Sequence, residues 1–239
     1  MTEPTPIVSP GAIRFFETVL SPLERYHRFR VEGMEHIPRQ GPGLLCVSHS
    51  LATYDGFIFG GAVYRATNRL PAALGDDMIF KTPWLGKHAW DAGIRPASPT
   101  AGEELLRQGY LLFLAPGGMR ESLRPARERY QVRWEGRRGF VRLALRTGSP
   151  LVLCACPAAD EIFTVRASRI TDFVYRKLKA PLPVFRGLGP TLIPRPVQLT
   201  YYVAPAIEMP TYEPEREAEQ VEDLHATATR VMAEQMARR

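Results

Sequence analysis

Short apolar runs alternate with helical stretches along this chain, and that alternation limits what it can fold into. Leu44–Ser48 reads as a strand, followed by a helix from about Asp55 to Ala66. Ala72–Leu74 predicts a short strand, Trp84–Trp90 a short helix and Ile94–Ala97 another strand. Ser98 then caps a helix running to Gln108, with Glu103 and Glu104 early and Gly109 at its end. Tyr110–Ala115 is an apolar strand that stops at Pro116-Gly117-Gly118, and Phe140–Arg146 is a helix that stops at Gly148. Leu151–Cys156 and Leu199–Val203 complete the strands. The pattern predicts an α/β layered domain with a mixed, largely parallel sheet flanked by helices. At 239 residues the chain suits one domain, 1–239, able to bury a core without covalent staples.

Two helical appendages frame this domain. Residues 12–30 predict an amphipathic helix, or a helical pair broken at Pro22. Phe15, Phe16, Val19, Leu20, Leu23 and Tyr26 supply its apolar surface, and Arg14, Arg25, Arg28 and Arg30 surround it. Such a segment either packs on the domain or lies in a bilayer interface with its arginines toward anionic headgroups. Residues 213–239 predict a C-terminal helix whose stripe is Val221, Leu224, Ala228, Val231 and Met232. Pro181–Pro196 is a proline-rich excursion inside the domain.

The formal net charge of +6 fits nucleic acid, an anionic bilayer, a phosphorylated substrate or coenzyme A. No nucleic-acid reading motif accompanies it. Cys46, Cys154 and Cys156 lack a disulfide framework, and the last two would face one side of a strand as small core residues. The N-terminus has neither a basic start nor an apolar stretch, and no apolar run approaches the ~20 residues of a spanning helix. The expected location is cytoplasmic, with any membrane contact peripheral. The five histidines show no metal-ligand spacing, so no metal is expected.

Four local features can carry chemistry. His49 follows an apolar strand directly and Asp55 comes six positions later, at the strand's carboxyl end where open α/β sheets place function. On a continuous helix six residues would leave the two side chains about 120° apart. They meet only if His49 lies in a loop and Asp55 opens the next helix. Asp55 then accepts a hydrogen bond from one imidazole nitrogen and leaves the other as a general base. The plain alternative is a helix-capping Asp55 beside a core histidine. Pro116-Gly117-Gly118-Met119-Arg120-Glu121 is a turn where backbone can approach a ligand, with Arg120 and Glu121 projecting from it. Arg95 and Ser98 sit at another strand-helix junction, and Arg137 and Arg138 lie beside glycines before Phe140. Each arginine is either an anion contact or part of a solvated face.

In order and spacing these features resemble the glycerolipid acyltransferase superfamily. Its signature is His-x-x-x-x-Asp, then a Gly-Ile-x-Arg-like block, then Phe-Pro-Glu-Gly-Thr-Arg, then a Val-Pro block. Here His49 to Asp55 has one extra residue, and Gly93–Ser98 stands for the second block. Pro116–Glu121 stands for the third and Val203-Ala204-Pro205-Ala206-Ile207 for the last. The extra residue, the Pro-Gly-Gly turn and Gly139-Phe140-Val141-Arg142-Leu143-Ala144 look like the diacylglycerol-acyltransferase branch, which favours a neutral lipid alcohol as acceptor. The glutamate expected beside the first glycine is absent, and Glu121 stands in for it.

The resemblance implies an O-acyltransferase moving a fatty acyl group from acyl-CoA or acyl carrier protein to a lipid hydroxyl, with no cofactor. His49 and Asp55 would be catalytic. Arg95, Ser98, Gly117, Gly118, Arg120 and Glu121 would bind substrate, the glycine N–H groups facing the oxyanion. The anionic membrane surface is the expected partner, and nucleic acid is not. The competing reading is an inactive acyltransferase-like protein that binds lipid or acyl carrier. No Gly-x-Ser-x-Gly elbow occurs, which counts against an α/β-hydrolase.

Overall fold

A computed structural model describes residues 7–51, 54–166 and 184–238, without the side chains of Phe15 and Phe16. Helix α1 (Pro10–Tyr26) leads to β1 (Arg30–Glu32), β2 (Gly43–Val47), α2 (Tyr54–Thr67) and β3 (Ala72–Gly75). Two short helices, α3 (Asp77–Lys81) and α4 (Pro83–Asp91), precede β4 (Ile94–Pro96), α5 (Pro99–Arg107) and β5 (Leu111–Leu114). Then come α6 (Gly118–Ser122), α7 (Gly139–Thr147), β6 (Leu151–Ala155), α8 (Ala159–Ile162), β7 (Thr164–Arg166) and β8 (Val184–Arg186). Strand β9 (Thr200–Val203) and the long α9 (Glu217–Met236) finish the chain.

The main sheet has seven strands in the order β1-β9-β6-β2-β5-β3-β4. Neighbours run parallel except β6 and β9, which are antiparallel. The expected mixed, largely parallel sheet is therefore what forms. β2 lies at its centre and every residue in it is buried, as a strand covered on both faces requires. Leu44 and Cys46 point into a core shared with α5, α7 and α9 (Leu105, Leu106, Val141, Ala144, Met232). Leu45 and Val47 point into the other, shared with α1 and α2 (Leu20, Ile58, Phe59, Val63). Cys46, Cys154 and Cys156 are buried core thiols, the last two as expected.

Several boundaries differ from expectation. Residues 12–30 are not a broken pair: α1 continues through Pro22, and Arg30 already belongs to a strand. Pro22 lies on an exposed position of this helix, where a proline costs one backbone hydrogen bond without ending it. Leu20 is buried against α2, and Glu24 pairs with Arg65 there, so this helix packs on the domain. Val19 and Tyr26 remain exposed. The C-terminal helix begins with a 3-10 turn at Pro214–Arg216. Strands β1, β7 and β8 have three residues each, too few to leave a periodic signal. The segment 167–183, including the start of the proline-rich excursion, lies outside the described residues, as do Ala52 and Thr53.

Candidate active site

His49 sits in the loop just beyond the carboxyl end of β2, and Asp55 lies in the first turn of α2, as the sequence predicts. The link between them is Ser50. The His49 Nδ1–H donates to the Ser50 carbonyl at 2.9 Å, while the Ser50 hydroxyl donates to Asp55 Oδ1. A carbonyl only accepts, so this bond puts the proton on Nδ1 and the ring's lone pair on Nε2 when the imidazole is neutral. The tautomer-fixing role expected of Asp55 is thus taken by a backbone carbonyl, and Asp55 holds the residue that supplies it.

The other Asp55 oxygen, Oδ2, accepts the Tyr201 hydroxyl at 2.5 Å. Tyr201 comes from β9, is fully buried and stacks on Phe59 of α2 at 4.1 Å between centroids. Asp55 is only 1% exposed. Burial pushes its carboxyl up, and the Ser50 and Tyr201 hydroxyls pull it back toward the charged form. The positive end of the α2 backbone dipole favours the carboxylate too.

A second buried network grips the His49 backbone. Glu121 of α6, also 1% exposed, accepts the His49 N–H at 3.3 Å and the Arg133 N–H at 3.3 Å. Arg124, just past α6, donates to the His49 carbonyl at 2.9 Å and to the Glu121 carbonyl at 3.1 Å. It also lies 3.4 Å from Asp160 of α8 and 3.8 Å from the Glu121 carboxylate. Burial raises both carboxyls and the Arg124 charge opposes the rise. Burial lowers His49 below 6.5, opposed by the Ser50 carbonyl and reinforced by Arg124. The imidazole is therefore held neutral, the form that can take a proton.

The remaining predicted residues divide. Gly117 is packed so closely that an added Cβ would strike the Glu121 side chain. Gly118 has φ +53, a conformation suited to glycine. Its N–H donates to the Ala115 carbonyl at 3.0 Å, so this donor is committed to the turn and is not aimed at an oxyanion. Arg137 binds the Gly117 carbonyl and, at 3.3 Å, that of Pro116. Arg120 points outward to Glu135 at 2.9 Å. Arg95 lies on edge strand β4, three strands from β2, with its guanidinium 4.0 Å from the Trp90 ring and bonded to the Trp90 carbonyl. Ser98 caps α5 by accepting the Ala101 N–H at 3.1 Å. Arg138 pairs with Glu222 of α9. The structure thus gathers His49, Asp55, Gly117 and Glu121, and leaves Arg95, Ser98 and Arg120 elsewhere. Ser50, Arg124, Asp160 and Tyr201 were not singled out by the sequence, although the serine beside His49 was visible as a polar residue at the end of an apolar strand.

The acyltransferase family profile matches residues 28–157, which span His49, Asp55 and the Glu121–Arg124 network. An uncharacterized protein of Mycobacterium tuberculosis is 32% identical over 200 residues, covering 76% of this chain and 54% of the relative. A human protein named DGAT1/2-independent enzyme synthesizing storage lipids is 28% identical over 211 residues, 87% of this chain and 61% of the relative. The chain thus spans a little over half the length of these curated relatives. In fold it is similar to the 1-acyl-sn-glycerophosphate acyltransferase PlsC of Thermotoga maritima, with TM-score 0.57 and 14% identity over 95% of this chain and 83% of that one. With a histidine and an aspartate organised at the carboxyl end of the central strand and a family match over more than half its residues, this chain belongs to the glycerolipid acyltransferase superfamily.

Proposed function

We propose that this protein is an O-acyltransferase moving a fatty acyl group from acyl-CoA or acyl carrier protein to the hydroxyl of a glycerolipid or other lipid alcohol. The observation that carries the reading is the His49 ring, with Nδ1–H on the Ser50 carbonyl and the backbone gripped by Glu121 and Arg124. In this scheme Nε2 takes the acceptor's hydroxyl proton as its oxygen attacks the thioester carbonyl carbon. The carbon–sulfur bond then breaks, and the imidazolium returns the proton to the leaving thiolate. Asp55 acts through Ser50 and stabilises the charge that builds on the ring. The Gly117 N–H, which lies in the same turn as the committed Gly118, is the candidate oxyanion donor.

A neutral lipid alcohol is the favoured acceptor, supported by the Pro-Gly-Gly turn and by the likeness to a storage-lipid enzyme. The protein works at the cytoplasmic face of an anionic membrane as a peripheral enzyme. Among the described residues no helix is long and apolar enough to cross a membrane. The test offers the purified protein acyl-CoA or acyl carrier protein with monoacylglycerol, diacylglycerol, lysophosphatidate or a long-chain alcohol. A new ester identified by mass, with stoichiometric thiol release, is expected. Absence of thiol release with every one of them favours an inactive protein that binds lipid or acyl carrier.

A further inference from the structure

The end of the sheet that carries His49 has a second feature. Beyond β6 the chain makes α8 and the antiparallel β7–β8 pair, then a tight turn from Gly187 to Pro194. It returns along α8, where the Arg195 N–H donates to the Ile162 carbonyl at 3.2 Å. The turn satisfies its own backbone: Gly187 N–H to the Thr191 carbonyl at 2.7 Å, and Leu188 N–H to the Ile193 carbonyl at 2.7 Å. The Thr191 hydroxyl also donates to the Leu188 carbonyl at 2.7 Å. A Cβ at position 187 would strike the Ile193 carbonyl, so glycine closes the turn. With its polar groups turned inward, the turn presents Leu188 (50% exposed), Leu192 (66%) and Ile193 (55%) to the outside. Turns at a water-facing tip ordinarily carry polar residues, and clustered exposed aliphatics mark a binding surface.

Three guanidinium groups gather at the base of this tip. Arg195 donates to the Thr164 hydroxyl at 2.8 Å and to the Arg186 carbonyl at 3.4 Å, and Arg129 lies 3.5 Å from the same hydroxyl. Among the described residues none of the three is ion-paired to a carboxylate. Buried Arg129 Nε has no hydrogen-bond partner. Burial lowers Arg195, and the charges of Arg129 and Arg186 lower it further, the mark of crowded cations. Two acids approach. Glu161 gives its carbonyl to Arg195 while its carboxylate accepts the Tyr130 hydroxyl, and Asp160 is paired with Arg124 and also feels the Arg129 charge. From Val184 to Leu199 the sequence contains no acid at all. Aliphatic tip and arginines without an ion-paired carboxylate match the two layers of an anionic bilayer surface, acyl chains beneath phosphates.

We propose that the Leu188–Ile193 turn inserts into an anionic lipid bilayer while Arg129, Arg186 and Arg195 bind headgroup phosphates, so that the His49 end of the sheet faces the membrane. The proposal rests on the reading of a bilayer-resident acceptor, and it assigns the docking element to this turn in preference to α1, whose Leu20 side packs on the domain.

The test is co-sedimentation of the full chain with phosphatidylcholine vesicles, with and without phosphatidylserine. Wild type is expected to bind the phosphatidylserine vesicles and to be released by salt. Leu192→Glu combined with Ile193→Glu should lower the partition coefficient at least about tenfold with unchanged circular dichroism. Arg186→Gln should weaken binding only where phosphatidylserine is present, and Val19→Glu on α1 should change nothing. If the double variant does not fold, Leu192→Ser at the most exposed position gives the same comparison, with a smaller expected loss. Wild type that binds neither vesicle sinks both the membrane reading and this assignment. Wild type that binds, with the charged double variant binding equally, leaves the membrane reading standing and overturns the turn. A dimer that the double variant converts to monomer, with vesicle binding unchanged, also overturns it and makes the turn a protein interface.

Discussion

Glu121 holds the backbone N–H of His49 at 3.3 Å, so the acid that ends the Pro-Gly-Gly turn and the histidine that follows β2 form one unit. Neither can shift without the other. Arg120, its immediate neighbour, faces away into an exposed pair with Glu135.

Opposite outcomes are therefore expected at adjacent positions. Glu121→Ala strips the His49 and Arg133 N–H groups of their acceptor and leaves Arg124 with less charge to pair. Unsatisfied buried groups cost about 1–3 kcal/mol each, and activity should fall with stability. Arg120→Ala removes an exposed pair worth about 0–1 kcal/mol and should leave kcat/KM within about threefold of wild type. Kinetics and thermal melts of the two variants decide it; equal losses would remove the distinction.

Gly117→Ala should reproduce much of the Glu121→Ala phenotype with every titratable group still present. Its methyl has no room beside the Glu121 side chain, so the carboxylate must move away from His49. Overpacking of this kind costs roughly 1–3 kcal/mol. A Gly117→Ala enzyme with unchanged turnover and melting temperature would show that the turn yields freely.

His49→Ala should lose about 10²–10⁴-fold in turnover with the fold intact. Ser50→Ala separates the two tasks of that residue, because the carbonyl on Nδ1 remains while the hydroxyl on Asp55 is lost. A smaller fall, in kcat more than in KM, is expected. Full activity in Ser50→Ala would show that Asp55 does not act through this hydroxyl. Asp55→Asn should likewise disturb turnover more than binding.

The pH profile follows from the direction of the His49 shift. Its value in the fold lies below 6.5, so the neutral base persists at pH 6.5 and is protonated only in more acid solution. The acid limb of kcat/KM should then lie below 6.5, with a plateau above. A limb centred at 7 or higher would falsify a buried, neutral His49 as the base. The histidines act on stability with the same sign. His27 and His225 are also lowered by burial, so at these positions the unfolded chain binds more protons on the acid side. The histidine contribution is complete above 6.5 and is lost as pH falls toward the folded values, while the raised carboxyls of Asp55, Glu121 and Asp160 contribute with the opposite sign.

Arg124→Ala should be the most destabilising single change in the site. It leaves Asp160 with the Tyr130 N–H and the Arg129 charge as counterweights and frees the His49 carbonyl at once, and breaking a buried pair costs about 3–5 kcal/mol. Arg124→Lys keeps the charge but cannot span the same set of carbonyls, so it should recover stability more than activity. Denaturant midpoints beside kcat give the comparison; an Arg124→Ala protein as stable as wild type would rule out the hub role.

The pattern of the site in the sequence was uneven for a physical reason. His49 and Asp55 were legible because a strand end and a helix start flank them within one short stretch. The strands around them were legible because apolar runs survive as patterns. Arg124, Asp160 and Tyr201 were not, since a buried arginine looks like a surface one until its partners are known. Those partners lie far off: 75 residues separate Arg124 from His49 and 146 separate Tyr201 from Asp55. The position of Arg95 was hidden for the complementary reason. It sits at a strand-helix junction as its neighbours imply, but strand order, which sequence does not display, puts β4 at the far edge.

Strand β9 sets a schedule for the chain's maturation. Asp55 receives the Tyr201 hydroxyl, and β1 finds its parallel partner, only when Thr200–Val203 arrives between β1 and β6. During synthesis the first strand therefore waits, with its edge open, until nearly the whole domain has left the ribosome. The Asp55 carboxylate is half-satisfied for the same interval. A nascent chain shorter than about 200 residues should bind chaperones and show no acyl transfer, because closing such a long-range pairing comes late.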